Sequence, residues 1–226
     1  MKITENIAGD AEQFFNEGLA QLDLILTGVQ VGQLVRYCLE LQKWSRKVNL
    51  VARNTSLLDL IDKHFLDSLT LVPLLRKFDC LHGPLLDVGS GAGFPGLVAK
   101  IACPSLAAVL LEPRHRRVSF LNHIIRLLAL EKIDVLMHRT EDRDVLSAYD
   151  FTVITGRAVT DVAGFLAMVA QIASSKTLVI CMQGVGGREE WEKQLNPTDF
   201  QCVGIEETVL PFSRAKRYLL LFRKRF

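Results

Sequence analysis

The chain has 226 residues, 49% hydrophobic and 23% charged, with a formal net charge of +2. That composition belongs to a globule able to bury a full core in one α/β-sized unit with a modest appendage, and it excludes a disordered, collagenous or coiled-coil chain. A near-neutral total also speaks against a protein that coats nucleic acid indiscriminately, although it says nothing of where the charges sit.

Met1-Lys2-Ile3 runs into Glu5, Asp10, Glu12 and Glu17 without the basic and apolar regions of a secretory signal. No apolar run approaches the roughly 20 residues of a membrane span. Cys38, Cys80, Cys103, Cys181 and Cys202 are never closer than 21 positions, so neither a CxxC pair nor a metal-ligand cluster is expected. They read as reduced, buried thiols. A cytoplasmic protein with no membrane or metal partner is the expectation.

From Asp10 to about Leu75 apolar residues recur at helical spacing, as at Leu34, Val35, Cys38 and Leu41, which predicts three helices. Breaks fall at Thr27-Gly28 and between Asn49 and Asn54. Ser56 and Asp59 fit a capping box opening the third helix, and Pro73 is placed near that helix's end. After His82-Gly83-Pro84 short apolar runs alternate with helical stretches, the pattern of βαβ units around a parallel sheet. Strands are predicted over 85–88, 107–111, 133–137, 151–155 and 177–181, and helices over 95–102, 117–130 and 161–173. Two final apolar runs, 203–210 and 216–222, flank Pro211-Phe212-Ser213-Arg214 and predict an antiparallel hairpin at the sheet's edge. The organisation expected is a helical extension, residues 1–80, ahead of an α/β unit, residues 81–226.

Leu85-Leu86-Asp87-Val88-Gly89-Ser90-Gly91-Ala92-Gly93-Phe94-Pro95-Gly96 reads as a strand ending in a carboxylate, a glycine loop and a helix start. Glycines permit φ > 0 and let a ligand approach the backbone, and open α/β sheets bind ligands beyond the carboxyl ends of their strands. Two ligand classes compete here. Gly91 to Gly96 matches G-x-G-x-x-G, with Glu112 about 20 residues on, as in dinucleotide binding. Asp87 at the mouth of the loop opposes a pyrophosphate, however, and suits the cationic amino and sulfonium groups of S-adenosylmethionine. The segment resembles the first motif of the class I methyltransferases, Asp-x-Gly-x-Gly-x-Gly. Glu112, ending the second strand, is placed to accept both ribose hydroxyls of an adenosine. Thr140-Glu141 falls where class I methyltransferases hold the adenine.

Several segments together resemble one family, the bacterial small-subunit ribosomal RNA guanine-N7 methyltransferases, also called the RsmG or glucose-inhibited division protein B family. They are Trp44-Ser-Arg-Lys-Val-Asn49-Leu50, Lys63-His64-Phe-Leu-Asp67-Ser68, Asp87 to Gly96, Arg116-Arg117-Val-Ser-Phe-Leu121 and Thr155-Gly156-Arg157-Ala158, with a looser match through Met182-Gln183-Gly184 to Arg217-Tyr218-Leu219. The glycine motif is shared by many methyltransferases; the His64-to-Ser68 segment and Gly93-Phe94-Pro95-Gly96 are more specific. Lys63 stands where that family commonly has Arg, Phe94 where Leu is frequent, and Gln183 where a Lys often precedes the glycine. The resemblance implies a Rossmann-like, mostly parallel seven-stranded sheet with an antiparallel edge hairpin. It implies S-adenosylmethionine held by Gly89, Phe94, Thr140, Glu141 and Arg157, beside Asp87, Gly91, Gly93 and Glu112. It also implies a guanine in the 530 loop of 16S ribosomal RNA, or of the small subunit, as substrate.

Guanine N7 is an in-plane lone pair without a proton, so methyl transfer to it needs in-line positioning and no general base. No catalytic residue is therefore assigned. The histidines at 64, 82, 115, 123 and 138 form no ligand set. His64 and Asp67, at i and i+3, are expected to pair and clamp the N-terminal helices to the sheet. Charge is clustered: Arg36, Lys43, Arg46, Lys47 and Arg53 stand against Glu40 alone, Arg114, Arg116, Arg117 and Arg126 against no acid, and the six cations after Thr208 against none. Together these predict a phosphate-binding face, with Arg46, Lys47, Arg116, Arg117, Arg139 and Arg217 contacting RNA. The base must be exposed to react, which favours a loop over a duplex. The alternatives are a small-molecule methyltransferase of the same fold and a dinucleotide-binding oxidoreductase.

Overall fold

Two amphipathic segments form α1 (Lys2–Gln21) and α2 (Gly28–Ser45) in a computed structural model that describes residues 2–52, 54–157, 159–193 and 199–225. Arg53 of the first basic cluster and Ala158 of the Thr155-Gly156-Arg157-Ala158 segment lie outside the described residues. Thr27-Gly28 is more than a break. The Thr27 hydroxyl accepts from the Gln30 backbone at 3.3 Å and the Gln30 side chain accepts from the Thr27 N–H at 2.8 Å, a complete capping box.

The third helix is not uniform. It runs as α3 (Leu57–Leu60), a π-helical segment (Ile61–Leu66), α4 (Asp67–Leu69) and α5 (Leu71–Lys77). The Ser56 hydroxyl accepts from the Asp59 N–H and donates to the Asp59 carboxylate, both at 3.0 Å, so the acid closes on the cap hydroxyl and not on the Ser56 backbone as expected. Pro73 lies in the first turn of α5, the last segment of that third helix, and so near its end at Lys77 as expected.

The sheet contains β1 (Leu85–Val88), β2 (Ala108–Leu111), β3 (Ile133–Leu136), β4 (Val153–Arg157), β5 (Leu178–Gln183), β6 (Phe200–Val209) and β7 (Lys216–Lys224) in the order β3-β2-β1-β4-β5-β7-β6. The first five are parallel, and β7 runs antiparallel to both β5 and β6. β1 and β2 are buried along their whole length, as strands covered on both faces are, and apart from Asp87 every residue in them is apolar. Between the strands lie α6 (Gly96–Ala102), α7 (His115–Leu127), α8 (Arg143–Leu146), α9 (Val162–Val169) and α10 (Val185–Lys193). α8 and α10 were not predicted, being one short and the other polar. The predicted bounds shift by a few residues elsewhere; α7, for example, starts at His115 rather than 117.

Residues 2–80 share their core with the sheet: Phe15, Tyr37 and Phe65 belong to one apolar cluster with Leu85, Leu97, Leu110 and Phe120. A second cluster, containing Val109, Ile154, Phe165 and Phe222, fills the other face. A buried carboxylate adds a polar tie. Asp62, 1% exposed, accepts from the Phe212 N–H at 3.1 Å and the Ser213 N–H at 2.9 Å in the β6–β7 turn. Phe14 meets Phe212 edge-on at 5.9 Å between ring centroids. Among the described residues no helix is long and apolar enough to cross a membrane.

Asp62→Ala leaves both turn N–H groups without their acceptor, and we expect it to cost about 2 kcal/mol in urea unfolding, with Asp62→Asn recovering part. An alanine variant as stable as wild type would show that the turn satisfies itself.

Candidate cofactor and substrate site

The order of the sheet reverses between β1 and β4, and the carboxyl end of β1 at such a switch point is where open α/β sheets take ligands. There the Gly89 and Ser90 N–H groups both donate to the Leu111 carbonyl, at 2.8 and 3.1 Å, turning the chain back over the sheet. Gly89, Gly91 and Gly93 have φ of +70°, +60° and +97°, which L side chains rarely adopt. Gly93 is confined twice over, because a Cβ there would strike the Tyr37 hydroxyl. Tyr37, fully buried on α2, donates that hydroxyl to the Ala92 carbonyl, and burial raises its pKa well above the ordinary phenol value, keeping it a donor.

Two carboxylates hold the loop from behind. Asp87, 0% exposed, accepts from the Gly96 N–H at 2.9 Å through Oδ2, while its Oδ1 has no partner among the described residues. Burial pushes its carboxyl up to about 6 despite the opposing Gly96 hydrogen bond. A Cβ at Gly96 would lie 2.7 Å from the Asp87 Cβ, so only glycine lets α6 start this close. Glu112, 2% exposed, accepts from the Gly91 and Arg114 N–H groups, each at 2.9 Å, and lies 3.5 Å from the Arg117 guanidinium.

Two cavities meet at Gly89. The larger, about 490 Å³, is lined by Gly89, Gly91 and Phe94 of the loop and by His64, Arg117, Arg157, Gln183 and Arg217 around it. The smaller, about 160 Å³, has apolar walls from Val88, Leu111, Pro113, Val159 and Met168, with Arg139, Thr140 and Glu141 completing it. Of the nine residues expected to hold cofactor, Gly89, Gly91, Phe94 and Arg157 therefore line the larger cavity, and Gly89, Thr140 and Glu141 the smaller. Asp87, Gly93 and Glu112 line neither.

Beside the larger cavity the expected His64–Asp67 pair does not form; Arg157 takes both. From the end of β4 its Nη1 donates to the Lys63 carbonyl at 2.9 Å and to Asp67 Oδ2 at 3.0 Å, and its Nη2 reaches His64 Nδ1 at 3.0 Å. Its guanidinium sits 5.0 Å over the Phe94 ring. Arg217 of β7 donates to Asp67 Oδ1 at 3.2 Å. Desolvation, reinforced by Arg157, Arg217 and Lys63, lowers the His64 pKa to about 4. His64 is thus neutral at pH 7. An arginine only donates, so Nδ1 is the acceptor and the ring proton resides on Nε2.

Of the predicted RNA contacts, Arg46, Lys47, Arg116 and Arg139 are exposed and have no ion pair among the described residues. Arg117 and Arg217 are engaged with Glu112 and Asp67 instead. Tyr37 was not anticipated at the site. Gln183 stood in a quoted segment, but Tyr37 gave no signal beyond a helical apolar position. Among the described residues no group of His, Cys, Asp and Glu could hold a metal ion.

This sheet order, with the glycine loop at its switch point, is the class I methyltransferase fold. The chain is similar to a point mutant of MtNAS solved in complex with S-adenosylmethionine, with a TM-score of 0.58 and 16% identity over 88% of this chain and 75% of that one. It is similar also to TrmN from Thermus thermophilus, with a TM-score of 0.52 and 14% identity over 70% of this chain and 48% of the other. The family model of GidB, rRNA small subunit methyltransferase G, matches residues 30–220. Ribosomal RNA small subunit methyltransferase G of Desulfotalea psychrophila is 40% identical over 217 residues, covering 93% of this chain and 98% of that protein. The protein of the same name from Syntrophus aciditrophicus is 34% identical over 217 residues, covering 94% and 89%. The chain belongs to the rRNA small subunit methyltransferase G family. This sets the dinucleotide-binding alternative aside.

The shifts of His64 (6.5 to about 4) and Asp87 (3.8 to about 6) act on stability in opposite senses over one pH range. His64 resists protonation when folded, so its contribution is present above pH 6.5 and lost as pH falls toward 4. Asp87 resists ionisation, so its contribution is present below 3.8 and lost as pH rises toward 6. Relative to wild type, His64→Gln gains stability on acidification across this range and Asp87→Asn gains on alkalinisation, each by roughly 2–3 kcal/mol. Urea midpoints measured at intervals across it test both, and a variant whose profile runs parallel to wild type contradicts the shift assigned to that residue.

Proposed function

We propose that the protein transfers a methyl group from S-adenosylmethionine to small-subunit ribosomal RNA, with N7 of an unpaired guanine in the 530 loop as acceptor. The observation that carries this reading is the glycine loop at the switch point, with one cavity on either side of Gly89, in a chain of this family. The residues fit the cofactor. Three glycines at positive φ keep side chains off the face of the loop, and the small cavity has the apolar walls an adenine ring takes, closed by Thr140 and Glu141. Asp87 and Glu112 place negative charge directly beneath, where a cationic sulfonium and amino group gain from it. Each Glu112 oxygen keeps acceptor capacity beyond its backbone hydrogen bond, which suits ribose hydroxyls. The cofactor supplies an electrophilic methyl group.

What the chain supplies is placement. N7 carries no proton, so no side chain has to act as a base, and the barrier is lowered by fixing acceptor and donor in line. Arg157, Phe94 and His64 pack together as one wall of the larger cavity. Arg46, Lys47, Arg116 and Arg139 are available to RNA phosphates, and the helical extension 1–80 serves as a cover on the methyltransferase unit 81–226. A cytoplasmic location follows from that substrate.

Incubation with labelled cofactor and small subunits lacking the modification is expected to place label on guanine N7 of the 530 loop; label on another base, or none, sinks the substrate assignment. Gly89→Val, with φ of +70° and Val159 3.2 Å from the added Cβ, is expected to abolish S-adenosylhomocysteine binding in calorimetry with an unchanged circular dichroism spectrum. Retained affinity would move the pocket elsewhere. Four phosphate contacts imply roughly a 100-fold loss of RNA affinity between about 50 and about 200 mM salt; salt-independent kcat/KM would favour the small-molecule alternative.

A further inference from the structure

We propose that His64 selects the target base: its Nε2–H donates to the O6 carbonyl of guanine, the acceptor adjacent to the reacting N7. The inference rests on the methyl-transfer reading above and adds to it the residue that distinguishes guanine from adenine.

Geometry fixes which way the imidazole works. Nδ1 is occupied by the Arg157 guanidinium at 3.0 Å, so Nε2 must carry the proton. The ring rests against Phe94, 5.2 Å between centroids with the planes tilted by 35°, and His64 lines the larger cavity. Nε2 has no hydrogen-bond partner among the described residues and is not enclosed among the buried unsatisfied atoms. A directed donor is therefore held at the cavity wall by a support that spans three elements. The backbone beneath it is the π-helical segment, a local irregularity often found where a side chain must be aimed.

Charge separates His64 from its neighbours. Each of the four cations on the cavity has a carboxylate partner: Lys63 with Asp59 at 2.6 Å, Arg117 with Glu112 at 3.5 Å, and Arg157 and Arg217 with Asp67 at 3.0 and 3.2 Å. Attack by N7 leaves the purine positively charged, and a bare cation at O6 would oppose that charge as it grows. A neutral imidazole N–H binds O6 without this penalty. Guanine offers acceptors at N7 and O6, whereas adenine turns an amino donor toward the same place, so the N–H that rewards guanine repels adenine. Gln183 is another uncharged side chain on the cavity that can donate, but its Oε1 is turned toward Gly187 of α10.

The test crosses the residue with the substrate group. Small-subunit RNA is prepared with guanine or with 2-aminopurine, which lacks O6, at the target position, and kcat/KM is measured for wild type, His64→Ala, His64→Gln and Gln183→Leu. Wild type is expected to lose about 10- to 100-fold on 2-aminopurine. His64→Ala should lose a similar factor on guanine and little more on 2-aminopurine, while His64→Gln, which keeps an N–H, and Gln183→Leu retain the discrimination. An equal penalty for 2-aminopurine in His64→Ala and wild type overturns the proposal, as does loss of discrimination in Gln183→Leu. Should the alanine variant not fold, a wild type indifferent to O6 overturns it alone. A wild type that labels no guanine N7 in either RNA fails the parent reading, an outcome distinct from all of these.

Discussion

One guanidinium holds the site together. Arg157 leaves the end of β4 and in a single side chain serves the Lys63 carbonyl, the Asp67 carboxylate, the His64 ring and the face of Phe94. Its partners come from the π-helical segment, α4 and the glycine loop, so the N-terminal helices, the sheet and the loop are positioned relative to one another by the same planar fork. The fork suits this work because its donors are planar and fixed in direction. Asp67 divides its two oxygens between Arg157 and Arg217, so the tie continues to β7 across the sheet's reversal of direction. Removing Asp67 would leave two partly buried cations facing each other, a larger loss than that of one hydrogen bond.

The loop itself is held from beneath. Asp87 takes the first N–H of α6, Glu112 takes Gly91 and Arg114, and Tyr37 reaches from α2 to the Ala92 carbonyl. Each binds backbone, so the loop's shape is imposed by groups that need no ligand present. Such preorganisation lowers the ordering cost at the moment of binding. It also gives the N-terminal helices a share in shaping the glycine loop, since Tyr37 and its aromatic partners Phe65 and Phe94 belong to the apolar cluster that joins the helices to the sheet.

The parts of this architecture legible in the sequence are those where one period or one residue type decides. Leu85–Val88, apart from Asp87, and Ala108–Leu111 are apolar because both faces are covered, and four glycines in eight residues mark a loop. The π segment was not legible: Ile61–Leu66 has the apolar spacing of an ordinary helix, and nothing in the local pattern marks the extra residue in its turn. Hence the i, i+3 rule predicted a His64–Asp67 pair where Arg157 intervenes. Asp87 and Glu112 were placed correctly at strand ends, but spacing cannot say whether a carboxylate faces a ligand or the loop's own N–H groups. Tyr37 was invisible for a related reason, since a buried tyrosine on an amphipathic helix shows its packing face but not what its hydroxyl reaches.

Charge completes the picture, because the total of +2 conceals two different arrangements. Around the cavity the cations are matched to carboxylates, and the site is close to locally neutral although arginines crowd it. Arg46, Lys47 and Arg116 stand exposed away from both cavities, and Arg139 stands exposed at the smaller one, without ion pairs among the described residues. The unpaired positive charge thus lies on the outer surface, where salt screens it, and the charge lining the cavity is paired. The proposed transfer to guanine N7 turns a neutral purine into a cation, which unpaired positive charge at the reacting atom disfavours and charge at a distance does not. The pairing of Asp59, Asp67 and Glu112 with the inner cations keeps the two arrangements apart.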